Sequence, residues 1–267
     1  MIYLNTVREG IPLKPKTFPD GSLHLEIPVC FPKSITWFYE NDAELFTLIC
    51  ARRHFADTPL TLYLPYLAHA RNDRVKNPED VFTLKYFCEV INSLNFTQVY
   101  VCDAHSNVAL ALLNNVINQT FDIRNNVFKI IDEIGEDFIL FYPDEGAMKR
   151  YSSLLKHPYT FGVKNREWET GKIKNLILMN EEMVKDKNIL IIDDICSYGG
   201  TFQFAAEALK KAGARDIYLY ISHAEKNIIE GTMYNEDLIK KIYTTNSIFK
   251  KEYDIKDKIK VFNNFFK

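Results

Sequence analysis

Short unbroken apolar runs alternate along the chain with longer stretches whose apolar positions recur at helical spacing. Leu60 to Pro65 and Gln98 to Asp103 read as buried strands. Between them, Pro78 to Leu94 reads as a helix, with Pro78, Glu79 and Asp80 supplying the proline and acids that suit a first turn. Asp137 to Tyr142 is strand-like again and leads into a helical stretch from Gly146 to Leu155. Asn188 to Asp194 is the clearest strand, aliphatics ending in two acids. A helix from Gly200 to Ala212 follows, stopped by Gly213, and Arg215 to Ser222 is the next strand. Strand, helix and strand in this order predict crossover connections, mostly parallel sheets and an α/β fold. The polar stretch from Gln119 to Gly135 interrupts the periodicity. It divides the chain into an expected first domain, residues 1–118, and a second, residues 119–254, while the tail from Lys226 to Lys267 is left open between closing the first domain, where residues 255–267 would pack, and lying in an oligomer interface.

The 33 Lys and Arg against 35 Asp and Glu leave a net charge of -2, which argues against a nucleic-acid binder. Five cysteines, Cys30, Cys50, Cys88, Cys102 and Cys196, are odd in number and lack C-x-x-C spacing. A disulfide framework or zinc site is therefore not expected, and a reducing cytosol fits. The start, Met1 to Pro12, lacks the charged and apolar regions of a signal peptide, and no apolar run is long enough for a membrane span. The expectation is a cytoplasmic protein without membrane or nucleic-acid partners.

The most informative segment runs from Ile189 through Asp193, Asp194 and Ser197-Tyr198-Gly199-Gly200-Thr201. A buried strand, paired acids, a glycine turn and a helix form an anion cradle from backbone amides at the helix start. Gly199 and Gly200 let the backbone come close to a ligand. Asp193 and Asp194 at the strand end can accept hydrogen bonds from a diol or hold hydrated Mg2+. Acids for hydroxyls beside amides for phosphate suit a sugar phosphate. In open α/β sheets, ligands bind at the carboxyl ends of the strands, where these residues fall.

This segment resembles the D-D-x-x-x-T-G-G-T loop that binds phosphoribosyl pyrophosphate (PRPP) in type I phosphoribosyltransferases and PRPP synthetases. Further segments resemble the ribose-phosphate pyrophosphokinase (PRPP synthetase) family in its own order. Phe18-Pro-Asp-Gly21 resembles the F-x-D/N-G-E turn, implying that Phe18 and Asp20 help hold ATP from a neighbouring subunit. Leu64 to Arg74 resembles P-Y-x-x-x-A-R-Q-D-R, which implies ATP contacts for Arg71, Asn72 and Asp73. Val101 to His105 resembles the D-L-H strand end and Tyr142 to Arg150 resembles S-P-D-x-G-x-x-x-R. These imply that His105 lies by the ATP phosphates and that His105 and Asp144 share a Mg2+ ion. Val163 to Arg166 resembles the K-x-R of a mobile catalytic loop, with Lys164 and Arg166 as phosphate clamps beside His105. The resemblance spans roughly residues 17–223 and implies two type I phosphoribosyltransferase-like domains, each a mostly parallel sheet flanked by helices.

Taken singly, several of these residues have plainer explanations. Asp193 and Asp194 suit a helix cap and a turn acid, Arg71 and Asp73 a surface ion pair, and His105 a core histidine. Lys164 and Arg166 lie in a charged stretch, 164–174, that suits a solvated loop. His69 receives no role from the resemblance. Five matches in order outweigh the single explanations.

The implied reaction is attack of the ribose O1 on the β-phosphorus of ATP, giving PRPP and AMP. Asp193 and Asp194 would hold the 2- and 3-hydroxyls, and the amides of Ser197 to Thr201 the 5-phosphate. A homo-oligomer is implied. The pattern departs in three places. Only 17 residues precede Phe18, so a trimmed first domain is expected. Ser22 and Asn72 replace a glutamate and a glutamine. Ser197 and Tyr198 replace an acid and the threonine that binds the 5-phosphate, so the ring either turns outward or the pocket takes another 5-substituent. ADP-ribose, the acceptor in NAD rebuilding by divergent phage-encoded members, therefore competes with ribose 5-phosphate as the expected acceptor. A PRPP-consuming phosphoribosyltransferase would share the loop without needing ATP, and a non-catalytic regulatory subunit would share the fold without turnover.

Overall fold

The computed structural model describes residues 1–135, 137–166 and 173–265. The chain is α/β and forms two units. The first comprises residues 1–120 with the last residues from 265, and the second residues 121–264.

The first unit contains β1 (Ile2–Asn5), β2 (Gly10–Pro12), β3 (Lys16–Thr17), β4 (Leu23–His24), β5 (Ser34–Trp37) and α1 (Ala43–His54). They are followed by β6 (Thr61–Leu64), α2 (Thr83–Ser93), β7 (Gln98–Cys102), α3 (Asn107–Leu112) and β8 (Val116–Gln119). Its main sheet runs β2-β1-β5-β6-β7-β8, with β5 to β8 parallel and β1 antiparallel to both neighbours. Leu62, Leu64, Val99 and Val101 alternate onto the face packed by Leu48 of α1, Phe87 of α2 and Ala109 of α3.

Helix α2 starts at Thr83 rather than at the proline and acids before it. Asp80 instead accepts hydrogen bonds from the Lys76 and Asn77 amides, both at 2.9 Å. That closes a turn in front of the helix and uses the acid there.

The second unit contains α4 (Phe121–Ile134), β9 (Phe138–Tyr142), α5 (Glu145–Leu155), β10 (Tyr159–Arg166), β11 (Ile173–Leu178) and β12 (Asn188–Cys196). Then come α6 (Gly200–Lys211), β13 (Ile217–Ala224), α7 (Thr232–Asn235), β14 (Lys241–Thr245) and β15 (Ile259–Phe262). The sheet order is β11-β10-β9-β12-β13-β14-β15, parallel except for the β10–β11 hairpin at one edge. Strand β12 sends Ile189 and Ile191 into a core with Phe202, Ala205 and Leu209 of α6. Leu190 and Ile192 enter a second core with Ile123 and Val127 of α4 and Tyr151 of α5. A near-continuous aliphatic run is what a strand covered on both faces requires.

A further expectation is corrected, and the tail is placed. The polar stretch from Gln119 to Gly135 carries a helix, α4, whose buried Ile123, Val127 and Ile130 recur at i, i+4 and i+7 among polar neighbours. Residues 255–264 lie in the second unit, not the first. There β15 extends the parallel sheet (Ile242 opposite Ile259), and Asp254 anchors the turn before it. The Asp254 carboxylate accepts from Tyr234 Oη at 2.8 Å, Lys251 Nζ at 2.7 Å and the Ile259 amide at 2.8 Å. Of this tail only Phe265, among the described residues, joins the first unit, with its ring 6.4 Å from that of Phe38.

Among the described residues no helix is long and apolar enough to cross a membrane.

Candidate active site

In the second unit the candidate residues gather where β9 and β12 end. Asp144 follows β9 in extended conformation and caps α5, its Oδ1 accepting from the Ala147 amide at 3.0 Å. Asp193 and Asp194 lie near the end of β12, and the Asp194 amide donates to Asp193 Oδ1 at 3.0 Å. Asp194 is buried and its Oδ1 lies 2.8 Å from Arg150 Nη1 on α5. Burial first, then the Asp194 and Asp144 carboxylates, hold the Asp193 carboxyl well above the usual range, opposed by the Asp194 amide. Three neighbouring acids, one of them paired with an arginine, make a site that favours a cation or hydroxyl donors.

A carboxyl group whose folded pKa exceeds its unfolded value costs nothing below the unfolded value. It destabilises progressively as pH rises from there toward the folded value. Asp193→Asn is therefore expected to raise the melting temperature of the ligand-free, metal-free protein at pH 8 by about 2–4 °C, the shift that ~1 kcal/mol gives in a chain of this size. The gain shrinks as pH falls into the ordinary carboxylate range. Calorimetry at pH 8 and pH 4.5 checks this, and a gain equal at both values, or a loss at pH 8, contradicts it.

Beyond the acids, the chain turns into α6 through Ser197 to Thr201. Gly199 has φ 83°, a left-handed conformation that favours glycine, and its carbonyl accepts from the Phe202 and Gln203 amides at 3.0 Å. Gly200 is exposed, and Ser197 and Thr201 are partly so, which leaves the start of the helix open to an anion. Tyr198 is 54% exposed, so the outward arrangement is the one it adopts.

The loop is backed by residues that carried no signal in the sequence. The Glu225 amide donates to the Cys196 carbonyl at 2.8 Å. Gly231 packs so closely that a Cβ there would stand 1.8 Å from the Tyr198 carbonyl oxygen. At the ends of β13 and β14, buried His223 Nδ1 lies 2.8 Å from Ser247 Oγ, which donates to the Ser222 carbonyl at 3.2 Å. Since β12 and β13 pair as far as Cys196 and Ala224, this network braces the strand beside the loop.

In the first unit the carboxyl edge also collects the expected residues. After β7, Asp103 takes a left-handed turn (φ 44°) and lies buried, the Ala104 amide donates to Asn118 Oδ1 at 3.0 Å, and His105 follows, partly exposed. The segment after β6 turns at His69 (φ 61°), where the Asn72 amide donates to the His69 carbonyl at 2.8 Å. Arg71 and Asn72 are exposed, and Asp73 Oδ1 lies 3.9 Å from Arg74 Nε. His69 Nε2 lies 2.9 Å from Asp42 Oδ1, which also accepts from Tyr39 Oη at 3.0 Å. Asp42 and Tyr39 follow β5, so this cluster joins the ends of two neighbouring strands, and only tertiary structure brings it together.

Phe18 and Asp20 sit in the turn between β3 and β4. Asp20 Oδ1 accepts from the Ser22 amide at 2.9 Å and Ser22 Oγ at 2.7 Å, bonds that hold its carboxyl below the usual range. Ser22, at the position of the family's glutamate, thus stiffens the turn, and Phe18 is 51% exposed at its base. Lys164 and Arg166 lie on β10 in the edge hairpin, where Lys164 is opposite Leu176 and the register shifts at Asn165 and Arg166. Their side chains, and the rest of the charged stretch from 167 to 172, lie outside the described residues.

A mostly parallel sheet whose paired acids run into a glycine turn and an open helix start is an arrangement suited to a sugar phosphate. The chain belongs to the phosphoribosyl transferase domain family, whose model matches residues 110–255. Within this class it is similar to ribose-phosphate pyrophosphokinases. It is 27% identical to that of Pyrococcus furiosus over 217 residues, covering 78% of this chain and 76% of the relative. It is 26% identical to that of Sulfurisphaera tokodaii over 254 residues, covering 87% and 83%. The crystal structure of phosphoribosylpyrophosphate synthetase from Mycobacterium smegmatis superposes with a TM-score of 0.74 at 15% identity, over 94% of this chain and 85% of that one, a likeness of fold.

Proposed function

We propose that the protein is a pyrophosphokinase that moves the β,γ-diphosphate of ATP onto the anomeric hydroxyl of ribose 5-phosphate, releasing AMP. The observation that carries this reading is the pairing of acids and open helix start on β12 and α6, together with relatives named for the reaction across both units. Those relatives favour ribose 5-phosphate over ADP-ribose, and the outward Tyr198 leaves the anion cradle accessible to a 5-phosphate.

In this reading the amides from Ser197 to Thr201 hold the 5-phosphate at the start of α6, and Asp193 and Asp194 accept from the ribose hydroxyls. His105, Arg71, Asn72 and Asp73 receive ATP at the edge of the first unit's sheet. Phe18 and Asp20 serve a nucleotide site of a second copy in a homo-oligomer. Lys164 and Arg166 draw in over the phosphates, where cations stabilise the charge that builds on phosphoryl oxygens. No covalent enzyme intermediate is needed; the protein aligns the ribose O1 with the β-phosphorus and excludes water.

Among the described residues no group of three or more His, Cys, Asp or Glu is arranged to hold a metal ion. Oxygen donors contributed singly still fit Mg2+, which commonly takes one or two carboxylates and fills its shell with water and substrate phosphates. Asp144 would offer it a carboxylate oxygen, His105 is proposed beside the ATP phosphates, and the ion would supply charge that neutralises the phosphate oxygens.

The test is AMP release from ATP and Mg2+ with ribose 5-phosphate, with ADP-ribose in parallel. AMP and a new sugar pyrophosphate are expected with ribose 5-phosphate. AMP with ADP-ribose alone would transfer the reaction to that acceptor. AMP with neither would remove the pyrophosphokinase reading and favour a PRPP-consuming transferase or a regulatory subunit.

A further inference from the structure

The paired acids of β12 are not equivalent, and the difference comes from α5. Arg150 Nη1 stands 2.8 Å from Asp194 Oδ1, with side-chain exposures of 21% and 4%. The guanidinium also lies 5.4 Å from the centre of the Tyr151 ring, which is itself buried in the core of that face. Arg150 Nη1 also donates to Tyr151 Oη at 3.4 Å, and these contacts limit where the guanidinium can go. Asp194 is a buried carboxylate beside that of Asp193, an arrangement that calls for a counter-charge, and Arg150 supplies one.

Helix α5 connects this pairing to a second feature. Its N-cap is Asp144, and Arg150 lies on the same helix, so one rigid element carries both the acid after β9 and the cation that grips β12. The alternation of β12 explains why the grip falls on Asp194. Leu190 and Ile192 enter the core beneath α5, and Asp194 continues that set, whereas Asp193 belongs with Ile189 and Ile191.

We infer that Arg150 is a positioning residue for sugar binding, clamping Asp194 from α5 so that the carboxylates of β12 are held in the orientation that accepts the ribose hydroxyls. The inference rests on the pyrophosphokinase reading and adds a residue to it. Arg150 acts through Asp194 and makes no contact of its own with the sugar. A lysine would keep the charge but lose the planar fork, so orientation and neutralisation separate experimentally.

The experiment compares wild type, Arg150→Lys, Arg150→Gln, Asp194→Asn and the Arg150→Gln/Asp194→Asn double variant, by steady-state kinetics and by calorimetric binding of ribose 5-phosphate. Arg150→Gln is expected to raise KM for ribose 5-phosphate about tenfold, the size typical of coupling between contacting residues, with KM for ATP within about twofold of wild type. Arg150→Lys is expected to fall between the two. In the Asp194→Asn background, Arg150→Gln is expected to add nothing to the loss of sugar affinity, and this comparison stands even if Arg150→Gln alone fails to fold. Additive losses, or equal rises in both KM values, would overturn the clamp. Turnover by wild type with an unaltered Arg150→Gln would sink the clamp alone, whereas no binding of ribose 5-phosphate by wild type would sink the parent reading and the clamp together.

Discussion

Replacing Lys164 with alanine is expected to lower kcat by ~10²–10³-fold, the usual loss when one preorganised charge is withdrawn from a transition state. Phosphoryl transfer offers the protein little covalent chemistry, so positioning and charge supply most of the rate. Lys164 lies on β10 in the antiparallel β10–β11 hairpin at the sheet's edge, away from the buried centre of the sheet. A role confined to the substrate phosphates is expected to leave the melting temperature within about 2 °C of wild type. Arg166→Ala should act in the same direction. The measurement is AMP release at saturating ATP and ribose 5-phosphate, with a thermal melt of each variant. Wild-type turnover by Lys164→Ala would take this residue out of the catalytic machinery and leave the hairpin a structural edge.

Alanine at Gly231 is expected to raise KM for ribose 5-phosphate on the order of 10–100-fold, because even an ångström of misplacement at a binding loop costs affinity and rate steeply. Gly231 has φ -73° and ψ 152°, which any residue adopts, so the backbone itself is not strained by the change. The obstacle is contact: the added Cβ would stand 1.8 Å from the Tyr198 carbonyl oxygen and 2.8 Å from its carbon. Both are main-chain atoms of the Ser197–Thr201 loop, so relief requires moving that loop. Overpacking of this kind also costs about 1–3 kcal/mol, and a fall in melting temperature should accompany the rise in KM. Gly199→Ala provides the contrast. There the nearest atom is the tip of Met233, with Cε at 2.7 Å, which can swing away, while the left-handed φ of 83° costs on the order of 1 kcal/mol. The titration to run is ribose 5-phosphate against each variant. Wild-type affinity in Gly231→Ala would mean that the loop tolerates displacement and does not set the phosphate position.

Much of the candidate site was readable because its residues lie close together in the chain. Asp193, Asp194 and the loop to Thr201 form one strand–turn–helix, and each part has a local requirement: aliphatics to bury, acids at the strand end, a glycine at φ 83°. The same holds for Asp144, whose capping of α5 needs only the residues that follow it. The clamp from Arg150 was visible only as the end of a motif. Nothing in the spacing of Asp144 and Arg150 says that the arginine reaches a strand distant in the chain. Gly231 and His223 were silent for the same reason, since each acts on a segment distant in sequence. In the first unit, Asp42 and His69 come from loops after different strands and meet only when β5 and β6 pair.

By itself, the sequence determined the α/β class, the crossover pattern of the main strands, the acid-and-glycine loop and the order of the family segments, because each depends on short-range periodicity or on a contiguous motif. Tertiary structure decided what such signals cannot carry. It showed that the polar stretch from 119 to 135 hides an amphipathic helix, since three buried positions suffice to anchor it among polar neighbours. It placed the tail in the second unit, because β15 finds its hydrogen-bonding partner on β14 and Asp254 gathers the turn between them. And it made the two adjacent aspartates different, because alternate side chains of a strand meet different helices, and α5 brings Arg150 to the face that holds Asp194.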